Sequence, residues 1–303
     1  MTEFTTAHFE EICAADPVKS QIEGIETIRA AAVKQFWMVA VGGGIGALVL
    51  AVLVGAFTNF TVGTIILIVG GIGALIFAFR PLEAARKGLK NPMLTALAAR
   101  GGMEYAESGF QPPFYMGARK SMFGSWLSSQ TFTDMFSGRD ENGKAFAVFE
   151  ATLEQGSGKN RTTVFQGQMY GFESTRGGDD VTVVTPDKGL FNFFKPGPGM
   201  QRVKFDSNPD FEKRFEVYST NPSMATGMLG SPTLQNRLLE LRGKGNLFAY
   251  IGGAEALIAI TGGDKFEPGS MFKATAGQER ARMMFDDVCG ALALLKELRA
   301  AFG

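Results

Sequence analysis

The chain has 303 residues, 45% of them hydrophobic and 20% charged, with 30 Lys and Arg balanced by 30 Asp and Glu. Zero net charge gives no overall pull toward nucleic acid, and the length suits one sizeable folded unit with something added to it. Two cysteines, Cys13 and Cys289, are too few for the disulfide framework of a small secreted domain, and both read as reduced and structural.

Residues 1–35 are acidic, and Ile22, Ile25 and Ile28 recur at near-helical spacing after Pro17. This N-terminal helical segment lacks the Lys/Arg-rich face of an interfacial helix and is expected to pack on a cytoplasmic domain. His8, the single histidine, has no neighbouring Cys or His and reads as an ordinary polar residue.

Residues 41–50 read VGGGIGALVL, which superficially suggests a phosphate-binding loop. The dinucleotide fingerprint needs glycines spaced GxGxxG between a strand and an amphipathic helix. Gly44 and Gly46 supply the first pair, but Val49 stands in the third place, and no GK[ST] comes after it. The surrounding sequence is instead apolar: residues 36–57 and 62–79 carry no charge. As helices these runs would be about 33 and 27 Å long, close to the hydrocarbon thickness of a bilayer. A soluble protein would have to cover both on every side. In lipid, helices satisfy their own backbone, so residues 36–79 are predicted to form a two-helix transmembrane hairpin. Gly42 and Gly46 on the first helix, and Gly70 and Ala74 on the second, are spaced for close helix packing, within the hairpin or in an oligomer.

Arg29 and Lys34 precede the first run, Arg80, Arg86, Lys87 and Lys90 come after the second, and the loop between is uncharged. The positive-inside tendency places both termini in the cytoplasm. The first run is too long, and too far from the start, for a cleaved signal core. Residues 80–104 suit a basic juxtamembrane helix starting at Pro81 and ended by Gly101 and Gly102; its cations either oppose anionic headgroups or simply set topology.

Residues 105–303 read as a cytoplasmic α+β domain with a mainly antiparallel sheet. Strands are expected over residues 145–153, 161–172 and 181–185. The turn Asp140-Glu141-Asn142-Gly143 begins like a calcium loop, but Lys144 stands at the third ligand position, so it reads as a hairpin turn. Phe191, Phe193 and Phe194, beside Lys195 and two Pro-Gly pairs, read as core; the alternative is a loop that dips into a bilayer or grips a partner. Ser231-Pro232 starts a helix with Leu234, Leu238 and Leu241 on one face. Residues 247–251 and 256–260 form a hairpin turned by Gly252-Gly253. Thr275 and Gln278 offer a capping box for a long C-terminal helix with Phe285, Val288, Leu292 and Leu295 as its apolar stripe.

No catalytic, cofactor-binding or metal-ligating constellation emerges. The cysteines and the histidine do not cluster, no GxSxG is present, and carboxylates such as Glu150 with Glu154 or Asp286-Asp287 read as solvated surface. No RNA- or DNA-binding signature is present.

Three blocks, VKFDSNPDFEKRFEVYSTNP, SPTLQNRLLELR and KFEPGSMF, preceded by TTVFQGQMYGF, resemble successive segments of an uncharacterised bacterial membrane family. The resemblance implies a two-span hairpin joined to a cytoplasmic domain of unknown function, often encoded beside LemA-like proteins. This chain departs from the family's charged pattern at SMATGMLGSP, and no catalytic residue carries over. Together these readings predict a non-catalytic binding or scaffold protein of the bacterial inner membrane, its partners the lipid bilayer and a protein partner, a LemA-like one among the candidates, or a second copy. A membrane-face enzyme using carboxylates and arginines, or a subunit of an oligomeric membrane complex, are the alternatives.

Overall fold

A computed structural model describes residues 4–175, 179–187, 197 and 199–302. Phe191, Phe193 and Phe194 lie outside the described residues. Two compact units are present: residues 4–97 with 266–287, and residues 98–265 with 288–302.

The first unit is helical. Helix α1 (Thr6–Ala14) opens with a capping box in which Thr5 Oγ1 accepts from the His8 N–H (3.4 Å) and His8 Nδ1 accepts from the Thr5 N–H (3.2 Å). The single histidine is thus a helix cap. α2 (Val18–Phe57) runs for 40 residues without a break and α3 (Phe60–Arg100) for 41. The basic helix expected to start at Pro81 is therefore the continuation of the second apolar helix, with Pro81 and Pro92 inside it. Proline costs about 3 kcal/mol in a helix interior. Here Leu82, Ala85, Leu89, Met93 and Leu97, three or four residues apart, are all buried, and that burial overrides the local preference. The C-terminal helix α8 (Gly277–Phe302) starts with the Ala276 carbonyl accepting its first bond from the Arg280 N–H. Thr275 is thus one residue too early to cap it. The start is set by close approach, since a Cβ on Gly277 would collide with the Ile22 carbonyl oxygen.

Among the described residues, the second unit forms a nine-stranded antiparallel sheet in the order β1-β2-β3-β4-β9-β8-β5-β7-β6. The strands are β1 (Glu104–Ala106), β2 (Leu127–Arg139), β3 (Ala145–Gln155), β4 (Thr162–Glu173), β5 (Val181–Pro186), β6 (Gln201–Val203), β7 (Phe215–Ser219), β8 (Leu247–Gly252) and β9 (Glu255–Thr261). With its helices it confirms the α+β class. Phe149, Leu153, Phe165, Phe248 and Leu257 build one core, on which helix α4 (Tyr115–Phe123) lays Tyr115, Ala118 and Met122. The alternating residues Ala249, Ile251 and Ile258 point to the other face and are equally buried. A sheet covered on both sides explains why β8 and β9 read as unbroken apolar runs. Their turn is Gly253-Ala254, one residue on from the expected pair, because Gly252 still pairs with Glu255 and Gly253 takes the positive φ of 61°.

Two short helices begin at Asn-Pro pairs: α5 (Pro209–Arg214) and α6 (Pro222–Leu229). Asn208 and Asn221 cap them through their side-chain oxygens, accepting from Phe211 and Met224 N–H. α7 (Pro232–Lys244) starts at the expected proline, although Ser231 makes no side-chain cap bond.

Candidate functional site

The helical unit carries the features that bear most on function. Each of α2 and α3 contains a window long and apolar enough to cross a membrane, and only 11% of each window is buried. A core helix would be covered; these present Leu48, Val52, Ile68, Val69 and Ile76 outward. Aromatic residues stand at both ends of the apolar stretch. Trp37 (57% exposed), Phe77 and Phe79 lie at one end, and Phe57 and Phe60 (88% and 87% exposed) at the other.

The face of α2 that closes on α3 carries Gly43, Ala47, Ala51 and Gly55. A Cβ on Gly43 would lie 2.6 Å from the Ala74 Cβ, one on Gly70 2.9 Å from the Ala47 Cβ, and one on Gly63 2.6 Å from the Ala51 carbonyl oxygen. Small residues let the backbones approach this closely. Gly70 and Ala74 sit in that seam. Gly42 and Gly46 do not: a Cβ on either meets nothing within 4 Å. The seam keeps a four-residue period one position on, because Gly43 and not Gly42 faces Ala74. Only Thr58 and Asn59 join the helices. Thr58 Oγ1 donates to the Val54 carbonyl (2.7 Å), and Asn59 Oδ1 accepts from the Val62 N–H (3.0 Å).

At the other end, residues 266–273 form a loop around the helix bases. Arg280, 1% exposed, pins it from α8: Nη1 donates to the carbonyls of Pro268 (2.8 Å) and Ser270 (3.2 Å), Nη2 to that of Lys273 (2.6 Å), and Nε to Glu26 (3.2 Å). Arg29 pairs with Glu26 (2.7 Å) and reaches the Met271 carbonyl (3.4 Å). Burial pushes the Glu26 carboxyl up, and the bonds from Arg29 and Arg280 outweigh it, so it titrates below the ordinary carboxylate range. Glu267 is held by Lys90 and by Arg86 (3.1 Å).

Of the six flanking cations, Arg29 and Lys90 are thus drawn into the protein, Arg86 is half-buried beside Glu83, and Lys34, Arg80 and Lys87 are exposed. The Arg80 guanidinium lies 4.1 Å from the Phe77 ring centroid. Between α3 and the loop opens a cleft of about 710 Å³, lined by Ile76, Phe79, Arg80, Lys87 and Phe272 among others. Phe36, Phe79 and Phe272 pack edge to face beside it, with centroids 5.0 to 6.3 Å apart.

The candidates for chemistry are otherwise engaged. Asp140 Oδ1 accepts from the N–H groups of Asn142 (3.0 Å) and Lys144 (2.7 Å), and Oδ2 accepts from Arg299. The turn that begins like a calcium loop is closed by an arginine. Burial raises the Asp140 carboxyl, but the Lys144 N–H and Arg299 together hold it below its usual range. Glu150 is buried and accepts from the Lys265 N–H (2.6 Å), while Glu154, about 13 Å along the strand, pairs with Arg161. Those two carboxylates cannot act on one atom. Among the described residues, no group of three or more His, Cys, Asp or Glu side chains gathers to hold a metal. Cys13 and Cys289 form no disulfide. Burial pushes the Cys13 thiol up to about 11 against the opposing charge of Arg282, so it is a poor nucleophile at neutral pH.

Residues 163–300 match a family described as a protein of unknown function (DUF3137). No curated protein matches the chain. Among solved structures it is similar to the mycobacterial trehalose monomycolate transport factor A, TtfA, at 14% identity and a TM-score of 0.42, over 71% of this chain and 95% of that one.

Proposed function

We propose that this protein is anchored in the bacterial inner membrane by α2 and α3, both termini in the cytoplasm, and acts as a non-catalytic binding or scaffold protein for a protein partner. The observation that carries the anchor is the pair of apolar windows left uncovered by the rest of the fold, bounded by aromatic residues at both ends. Lys34, Arg80, Arg86 and Lys87 flank the end opposite the two-residue tip, which supports the orientation. The binding role rests on a large folded sheet unit joined to an anchor, with its conspicuous carboxylates already engaged.

Membranes washed with alkaline carbonate should retain the chain, and protease should cut the sheet unit in inverted but not in right-side-out vesicles. Full-length protein that stays monodisperse in detergent-free buffer refutes the anchor. Mild-detergent co-purification, with a LemA-like protein as the first candidate, tests the partner; recovery of the chain alone under several mild conditions counts against a scaffold role.

A further inference from the structure

The cleft at the base of α3 has two chemically different walls. Ile76 and Phe79 continue the apolar surface of the helix, and the exposed Phe272 ring extends it from the loop. Arg80 and Lys87 supply exposed cations, whereas Arg86 is already paired with Glu83 (2.7 Å) and Glu267 (3.1 Å), and Lys87 stands 4.0 Å from Glu83. Among the described residues Arg80 forms no salt bridge, and its guanidinium is held over Phe77 at the mouth of the cleft. The wall opposite α3 does not have to form on binding, because Arg280 ties three carbonyls of the loop from a buried position.

We propose that this cleft binds the headgroup of an anionic phospholipid, the phosphate facing Arg80 and Lys87 and the first acyl segment lying on Ile76, Phe79 and Phe272. Cation and apolar surface meet where the uncharged run ends, at residues 79 and 80, which is the level of the headgroups if the helices span. A free phosphate would use the cations and leave the aromatic wall idle. The site rests on the anchored reading, and its test separates the two.

The full chain is reconstituted in nanodiscs of phosphatidylcholine alone or with phosphatidylglycerol, and lipid retained after detergent extraction is counted by native mass spectrometry. Phosphatidylglycerol should be retained preferentially. R80Q with K87Q should reduce that preference roughly 25-fold, at about fivefold per cation, while R80K retains it. F272A should weaken retention of both lipids without altering the preference. Inorganic phosphate added to the discs that contain phosphatidylglycerol should not displace the retained lipid. Equal retention of both lipids by the unaltered chain, or an undiminished preference in the double variant, overturns the site. Competition by millimolar phosphate overturns the lipid as its occupant. Failure of the chain to enter nanodiscs at all overturns the anchor instead, and circular dichroism of each variant excludes misfolding as the cause of a loss.

Discussion

Replacing Arg280 by methionine, which keeps the length of the side chain and removes its five donors, should release the loop at residues 266–273. Three carbonyls would lose a charged donor at 2.6 to 3.2 Å. At about 1.5 kcal/mol for each such bond, the loss is about 4 to 5 kcal/mol. The pair with Glu26 adds little, because that carboxylate is 33% exposed and solvent screens it. E26Q should therefore cost only about 1 kcal/mol. Hydrogen exchange of the amides at residues 269–273, in detergent or nanodiscs, reads the local opening directly. R280M should accelerate it by roughly three orders of magnitude, or to the rate of an unprotected amide, and E26Q by about one. Equal effects of the two variants would place the energy in the ion pair and refute the carbonyl account. Unchanged exchange in R280M would refute the pinning altogether.

Valine at Gly43, Gly63 or Gly70 should lower the thermal midpoint in detergent, each by the equivalent of about 1 to 3 kcal/mol, since the added carbons enter an occupied seam. G42V and G46V, which meet nothing, should change it far less. Calcium titration should leave the melting temperature of the sheet unit unchanged, because Asp140 already accepts three donors. D140A, and R299Q less so, should destabilise that unit by a few kcal/mol on removal of a buried pair. The carboxyls of Glu26 and Asp140 titrate lower when folded than their ordinary values of 4.5 and 3.8. Their contribution is therefore complete above those values and disappears as pH falls through the lower folded ones. An acid titration monitored by circular dichroism should show an unfolding limb below about pH 4.5, flattened in E26Q.

The apolar hairpin was legible because solvation acts on composition, and 40 uncharged residues in two runs have few destinations. β3, β4, β5, β8 and β9 were legible because β-branched and aromatic residues recur between turn signals. β2 was not: it carries Ser, Gln, Thr and Asp along its length, and a register shift around Asp134, at a φ of 55°, breaks its alternation. α5 and α6 carry the same cap-and-proline signal as α7, at Asn208-Pro209 and Asn221-Pro222, but at six and eight residues they are too short to repeat an apolar face. The loop block KFEPGSMF stood out only by resemblance. Its anchoring depends on Arg280, whose position in the first turn of α8 places a cation against the helix dipole. An arginine so placed is a sign that something nearby compensates, but only the folded chain shows that three carbonyls do.

If α2 and α3 span as proposed, the two-residue tip between Phe57 and Phe60 limits what the far side of the membrane can perceive. A chain that crosses in this way offers the opposite compartment four residues, two of them aromatic rings that belong at the lipid boundary. Such a surface is too small for a receptor and gives a protease or an antibody nothing to grip. In the proposed arrangement, a signal to this protein would have to come through the bilayer itself or from the compartment that holds the sheet unit.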